Sequence, residues 1–357
     1  MIDDSFLPTG SSLADLLDTQ TQDGTLWRKV GDRVRCLACG HRCLLGEGRR
    51  GVCRLRFARG GRLRVPFGYV TGLQCDPVEK KPFYHVLPGT GALTFGMLGC
   101  DLHCPYCQNW VTSQALRDPA STGAVQRITS EEIAAVARHS GARLVVSSYN
   151  EPLITAEWGA AVFRAARSGG FGCAIVSNGN ATPEVLDLLA PLLTACKIDL
   201  KGFDARGYRR LGGSLENVLA TIRDVHARGL WLEVVTLLVP GFNSDDAELR
   251  DLTGFLASIS PDLPWHVTGF HPDYQMQDTP ATTTAQLLRA AEIGAAAGLR
   301  HVYAGNQPGR VGRWEHTWCP HCQTCLIERY GWRILANRVT AEGRCGHCGA
   351  PVPGVWR

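Results

Sequence analysis

No apolar run in this chain approaches the length of a membrane span, so a bundle of spanning helices is not the expected architecture. The first residues, Met1-Ile2-Asp3-Asp4, are acidic and lack the basic-then-apolar pattern of a secretory signal. Strong charge of one sign is missing too: 37 Lys and Arg stand against 33 Asp and Glu, a net charge of +4. The basic residues are scattered, with no dense run and no interleaving with aromatics, so nucleic acid is not an expected partner. A soluble cytoplasmic protein is expected. With 45% apolar residues in 357, the chain can build one large domain with small appendages, or two to three ordinary ones.

Cysteine is what the sequence has in excess. A reducing cytosol does not preserve a disulfide framework, and fifteen cysteines is an odd number. Most fall into three tight groups, which points to metal sites. Cys75, Cys173 and Cys196 stand alone. Cys173 and Cys196 lie in apolar, strand-like runs and are expected as core thiols.

Residues 1–25 are polar, with a short amphipathic stretch around Leu13–Leu17. A hairpin signal follows over Leu26–Val34, and another over Leu55–Val65 turns at Gly60-Gly61. From about Ala92, strands alternate with helices. The strands are expected at Leu93–Met97, Leu144–Ser148, Cys173–Ser177, Ala195–Leu200, Leu232–Val239, His266–Phe270 and His301–Ala304. Thr129 with Glu132 forms a capping box, Thr182 before Pro183 makes an N-cap, and Ser214 and Ser244 are N-cap candidates. Gly229 suits a helix C-terminus. This alternation argues for an α/β fold with a parallel sheet. Polar or turn residues end nearly every strand, as in a β/α barrel rather than a sheet with one switch point. The expectation is a full or partial (β/α) barrel flanked by small cysteine-rich β modules at both ends. The boundaries expected are 1–35 for a tail and hairpin, 36–90 for a small metal-binding β module with four cysteines, 91–312 for the barrel and 313–357 for a ribbon-like module.

Cys100, Cys104 and Cys107 sit on the loop directly after the first barrel strand. A closed zinc site takes four ligands, and a four-iron cluster is normally held by four thiolates. Three ligands leave one iron open to bind a substrate. CxxxCxxC with Tyr106 before the last cysteine resembles the signature of the radical S-adenosylmethionine (SAM) superfamily. That resemblance implies a [4Fe–4S] cluster whose open iron chelates SAM, and reductive cleavage to a 5′-deoxyadenosyl radical that abstracts hydrogen from a substrate.

Further residues carry the same likeness. Ser148-Tyr149-Asn150-Glu151-Pro152 resembles the motif that receives the SAM amino group, although its Gly-Gly pair is absent. Asp199-Leu200-Lys201 resembles the Asp-x-Lys of glycyl-radical activating enzymes. Ser177 and Asn178 resemble the third-strand segment of the same pocket, His271 a late-strand histidine near the ribose, and Tyr106 an adenine contact. Residues Asp76–His85, Cys107–Gln114 and the ending Pro353–Trp356 resemble the AmmeMemoRadiSam-system radical SAM enzymes, relatives of pyruvate formate-lyase activating enzyme, over roughly residues 36–357. The partners this implies are the two other proteins of that system and an external one-electron donor. Glycyl-radical activation, 3-amino-3-carboxypropyl transfer from SAM, and a non-catalytic metal-stabilised binding module are the competing functions.

The outer groups differ in their spacing. Cys36, Cys39, Cys43 and Cys53 can close a zinc site or hold a second iron–sulfur cluster, with zinc slightly favoured. Cys319-x2-Cys322 and Cys345-x2-Cys348 make a zinc-ribbon pattern, structural because four thiolates leave no open position. Cys325 is a buried extra or an alternative ligand.

Overall fold

The computed structural model describes residues 12–121 and 124–357. The start of the expected 1–35 segment, residues 1–11, lies outside the described residues.

An eight-stranded sheet organises the chain. Its strands are β1 (Gly72–Pro77), β2 (Gly91–Gly96), β3 (Ala142–Ser147), β4 (Gly172–Ser177), β5 (Ala195–Asp199), β6 (Trp231–Leu238), β7 (Trp265–Gly269) and β8 (Val302–Gly305). They pair in sequence order, all parallel except β1, which runs antiparallel along β2 from Gly72 opposite Gly96 to Pro77 opposite Gly91. The seven parallel strands fall within two residues of the expected ones. Their outward faces are mostly apolar because helices cover them, while β5 and β7 turn Lys197, Asp199, His266 and Thr268 inward. Cys173 and Cys196 are buried in β4 and β5, as core thiols.

Helices α1 (Ser130–His139), α2 (Ala156–Ser168), α3 (Pro183–Leu189), α4 (Leu215–Ala227), α5 (Asp246–Ile259) and α6 (Thr284–Ala296) fill the crossovers. Each buries one stripe: Val218, Ile222 and Val225 on α4 sit at the i, i+4, i+7 spacing that one helical face demands. Thr129 and Glu132 cap each other, Thr182 and Ser214 are N-caps, and Gly229 turns left-handed at φ +73°. Ser244 is not a cap. Asp245 takes that role on α5, receiving the Ala247 and Glu248 amides, while the Ser244 hydroxyl accepts from the Gly241 amide. A carboxylate in the first turn also faces the positive end of the helix dipole.

One expected boundary shifts. Gly72–Pro77, assigned by sequence to the 36–90 module, is the edge strand of the large sheet. Its short, part-exposed run gave no signal of its own; only pairing with β2 makes it a strand. Both expected hairpins form, at Trp27–Val30 with Arg33–Cys36 and at Phe57–Arg59 with Arg62–Pro66. The second turns on Gly60 and Gly61, both at positive φ, as a two-residue hairpin needs.

The C-terminal module docks through buried polar contacts. His85 Nδ1 meets the Pro353 carbonyl at 2.6 Å, so that nitrogen carries the proton, and Nε2 accepts from the Tyr303 hydroxyl at 2.6 Å. Burial holds His85 neutral, with its pKa down at about 3. Arg329 stacks over Tyr84 at 4.1 Å and donates to the Tyr84 carbonyl. Among the described residues, no helix is long and apolar enough to cross a membrane.

Candidate active site

Past Gly96 the chain runs straight into the cysteine loop. Gly99 holds a φ of +86°, and a Cβ there would stand 2.4 Å from Leu55 Cδ1. Only glycine meets both conditions. The loop after β3 is stitched to it: the Met97 amide donates to Asn150 Oδ1 (2.9 Å), and the Glu151 amide to the Gly99 carbonyl (3.1 Å).

Cys100, Cys104 and Cys107 open into one cavity of about 430 Å³. Tyr106, Asn150, Glu151, Ser177, Asn178, Asp199 and Lys201 line the same cavity. Residues from β4 to β8 reach it as well, so the sheet curls around a common centre. This is the partial barrel, open between β8 and β1, which do not pair.

Glu151 is buried and held on both oxygens. Ser177 Oγ donates to Oε1 at 2.7 Å and the Asn178 amide to Oε2 at 2.8 Å. Asn178 Nδ2 also reaches the Asp101 carboxylate at 2.7 Å, and Asn180 Nδ2 holds its other oxygen at 2.8 Å. Asp199 bridges two cations, Lys197 Nζ at 2.5 Å and Lys201 Nζ at 3.2 Å. Burial alone would raise the Asp199 carboxyl, but the two ammonium groups outweigh it and hold its pKa at about 2.

The sulfur of Cys100 and the carboxylates of Asp101 and Glu151 lie within 4.8 Å of one another. Three acids so close cannot all ionise without a cation. Burial, then the charge of Asp101, lift the Glu151 carboxyl to about 8. Burial pushes the Cys104 thiol up to about 12 and raises Cys100 and Cys107. A cationic centre reverses this balance, because the thiolate is the form that binds metal. The outer contacts suit sulfur ligands: the Leu102 amide points at Cys100 Sγ (3.3 Å) and Ser113 Oγ lies 3.1 Å from Cys107 Sγ. Three thiols lining a cavity that also carries buried acids and a lysine therefore fit a cluster with one open iron.

His271 does not join the lining residues. It is exposed, outside the cavity, because β7 ends at Gly269 and Phe270 turns inward instead. The histidine that does line the cavity is His266, inside β7, hydrogen-bonded to buried Glu233 at 2.7 Å. Lys197 was likewise overlooked. Both could have been found from period two, since Lys197 shares its strand face with Asp199, and His266 with Thr268. Away from the cysteines the cavity continues to Glu79, Lys80, Lys81 and Tyr84, and to Trp332 at a hairpin tip of the C-terminal module.

The other cysteine groups behave differently from one another. The sulfurs of Cys319, Cys322, Cys345 and Cys348 all lie within 4.8 Å, with Cys319–Cys348 and Cys322–Cys345 each at 3.7 Å. Cys325 lies in the neighbouring strand Cys325–Tyr330, outside this tetrad. Cys36, Cys39, Cys43 and Cys53 do not draw in so tightly.

Fold and site together define an α/β protein with a cysteine-lined cavity. The sequence profile of the radical SAM superfamily matches residues 95–253. An uncharacterized protein of Methanocaldococcus jannaschii is 34% identical over 336 residues, covering 93% of this chain and 98% of the relative. The chain belongs to the radical SAM superfamily, and membership implies an iron–sulfur cluster and SAM. Among solved structures, a radical SAM methyltransferase from Sphaerobacter thermophilus is 16% identical at a TM-score of 0.49, covering 80% of this chain and 78% of its own. A domain of a pyruvate-formate lyase-activating enzyme from Bacteroides vulgatus is 20% identical at 0.40, covering 45% of this chain and 98% of its own.

Proposed function

We propose that this enzyme cleaves SAM reductively at a [4Fe–4S] cluster on Cys100, Cys104 and Cys107, and uses the product radical to take hydrogen from a substrate in the same cavity. One observation carries the reading: the three cysteines open into the cavity that Glu151, Asp199 and Lys201 line. When bound, the cluster supplies the electron that splits SAM into methionine and a 5′-deoxyadenosyl radical. The chain's own residues do the rest. Glu151, fixed by Ser177 and Asn178, offers a carboxylate to the SAM ammonium group. Asp199 and Lys201 offer one acceptor and one donor of fixed orientation, and Tyr106 an aromatic face edge-on to Phe242 at 5.5 Å. The buried part of the lining, around Cys104, Tyr106, Glu151 and Ser177, limits water near a reactive intermediate.

We place the protein in the cytoplasm. Most of its cysteines fall into metal-site groups, as suits a reducing compartment. A one-electron donor and the two other proteins of the AmmeMemoRadiSam system are the proposed partners, on the strength of the Asp76–His85 and Pro353–Trp356 segments. Zinc is proposed for the C-terminal tetrad. Sulfurs 3.7 Å apart match tetrahedral bonds of about 2.3 Å. Cys345→Ser with Cys348→Ser should remove about one zinc per chain and loosen the tail, with iron unchanged, since structural zinc sites contribute folding energy. Unchanged zinc content in elemental analysis would defeat this assignment.

The test of the catalytic reading is product analysis of anaerobically reconstituted protein with SAM and a strong reductant. Equal amounts of 5′-deoxyadenosine and methionine are expected. Methylthioadenosine in their place would mean that the other bond breaks, as in aminocarboxypropyl transfer.

A further inference from the structure

Four thiolates around one tetrahedral ion must crowd together, as the C-terminal four do at 3.7 Å. Among the described residues, no three sulfurs of Cys36, Cys39, Cys43 and Cys53 lie within 4.8 Å of one another, and neither do those of Cys100, Cys104 and Cys107. The N-terminal thiols nonetheless face a common space. The Cys36 amide donates to the Cys43 carbonyl at 2.9 Å and the Arg42 amide to the Cys39 carbonyl at 3.0 Å, which folds these three cysteines into one knuckle. Cys36, Cys39 and Cys53 are buried and Cys43 half-buried.

Two further features mark the space as a metal centre. A backbone amide aims at one of the sulfurs, that of Val52 at Cys43 Sγ (3.4 Å). The His347 amide aims likewise at Cys345 Sγ in the C-terminal tetrad (3.4 Å). Amide-to-sulfur contacts of this kind accompany metal-bound thiolates. The second feature is Arg56. Its terminal nitrogens are satisfied by Glu157 and the Ile154 carbonyl, but its buried Nε–H has no acceptor among the described residues, and Cys36 and Cys53 are near enough to act on its charge. An orphaned buried donor beside thiols is explained by an anionic group between them.

We propose that Cys36, Cys39, Cys43 and Cys53 hold a second iron–sulfur cluster rather than zinc. Sulfurs too far apart to share one ion are spaced by a cluster, whose iron atoms stand between them. The centre adjoins the catalytic loop: His41 Nε2 lies 3.1 Å from the Asp101 carbonyl, and the Gly40 amide donates to the Asn180 carbonyl at 2.8 Å. The likeness of these thiols to those of the Cys100 loop rests on the function proposed above; the spacing of their sulfurs does not.

The test counts iron, zinc and acid-labile sulfide in full-length protein reconstituted anaerobically, with electron paramagnetic resonance of the reduced samples. The triple variant Cys100→Ala/Cys104→Ala/Cys107→Ala should keep iron, sulfide and a cluster signal. Cys36→Ser/Cys53→Ser should lose a matching share of iron, with zinc unchanged at about one per chain. Loss of all iron from the triple variant overturns the proposal, and that variant decides the matter if the N-terminal one does not fold. Two zinc ions in the parent, one of them lost from Cys36→Ser/Cys53→Ser, overturn it equally. Iron lost only from the N-terminal variant would leave this proposal standing and overturn the catalytic one.

Discussion

Cys104→Ala is expected to abolish 5′-deoxyadenosine formation while the protein stays folded. Cys104 is 6% exposed and packs with Leu102, Tyr106, Leu211, Val239 and Phe270. Removing one sulfur from that cluster leaves a small hole, worth about 1–2 kcal/mol on the scale of single-group truncations. A domain of this size tolerates such a loss. The effect on activity is of another order. Even an outer-shell partner of a metal costs about 10–100-fold, so loss of a ligand from a three-ligand site should exceed a hundredfold. Cys100→Ala and Cys107→Ala should behave alike, because the site has no spare thiol. Product counts by mass spectrometry, beside a thermal melt, separate the two effects. Parent-level activity in any of the three would remove the catalytic assignment.

The reason so much of this was legible is that the chemistry and the fold share signals. The CxxxCxxC spacing, Glu151 and Asp199-x-Lys201 all stand at strand ends, and strand ends are visible as apolar runs that stop at polar or turn residues. Caps such as Thr129 and Thr182 are local, so the sequence reveals them directly. What escaped depended on three-dimensional context. His271 looked placed because it follows a strand, yet a strand end settles which loop a residue joins, not which way its side chain leaves. His266 hid inside an apolar run, where a buried histidine reads as packing until Glu233 is seen beside it. Gly72–Pro77 is a strand only by virtue of its neighbour. The spacing of Cys36, Cys39, Cys43 and Cys53 admits one ion or a cluster alike. Only the distances among the sulfurs in space distinguish them.

Arg56→Met is expected to produce the largest loss of stability. Arg56 and Glu157 are 1% and 4% exposed and pair through two bonds, at 2.7 and 2.8 Å. Glu157 also accepts the Thr25 and Leu26 amides at 3.2 Å, so this one carboxylate fastens the N-terminal hairpin to α2. Removing one member of a buried pair strands the other charge, at a cost of about 3–5 kcal/mol. The pH dependence tells stranding from simple loss of packing. In the parent, burial would raise the Glu157 carboxyl, but Arg56 holds it below its ordinary value. That stabilisation is complete above the ordinary glutamate pKa and is lost as pH falls through the lower folded value. In the variant the Arg56 charge is gone, and burial, opposed only by the backbone amides, raises the folded pKa. The penalty is then felt at neutral pH and relieved as acid protonates Glu157. The stability gap between parent and variant should therefore narrow on acidification, and Arg56→Met/Glu157→Gln should recover part of the loss at pH 7. Denaturant melts at two pH values measure both. A gap that stays constant with pH would show that the pair holds the hairpin by shape rather than by charge.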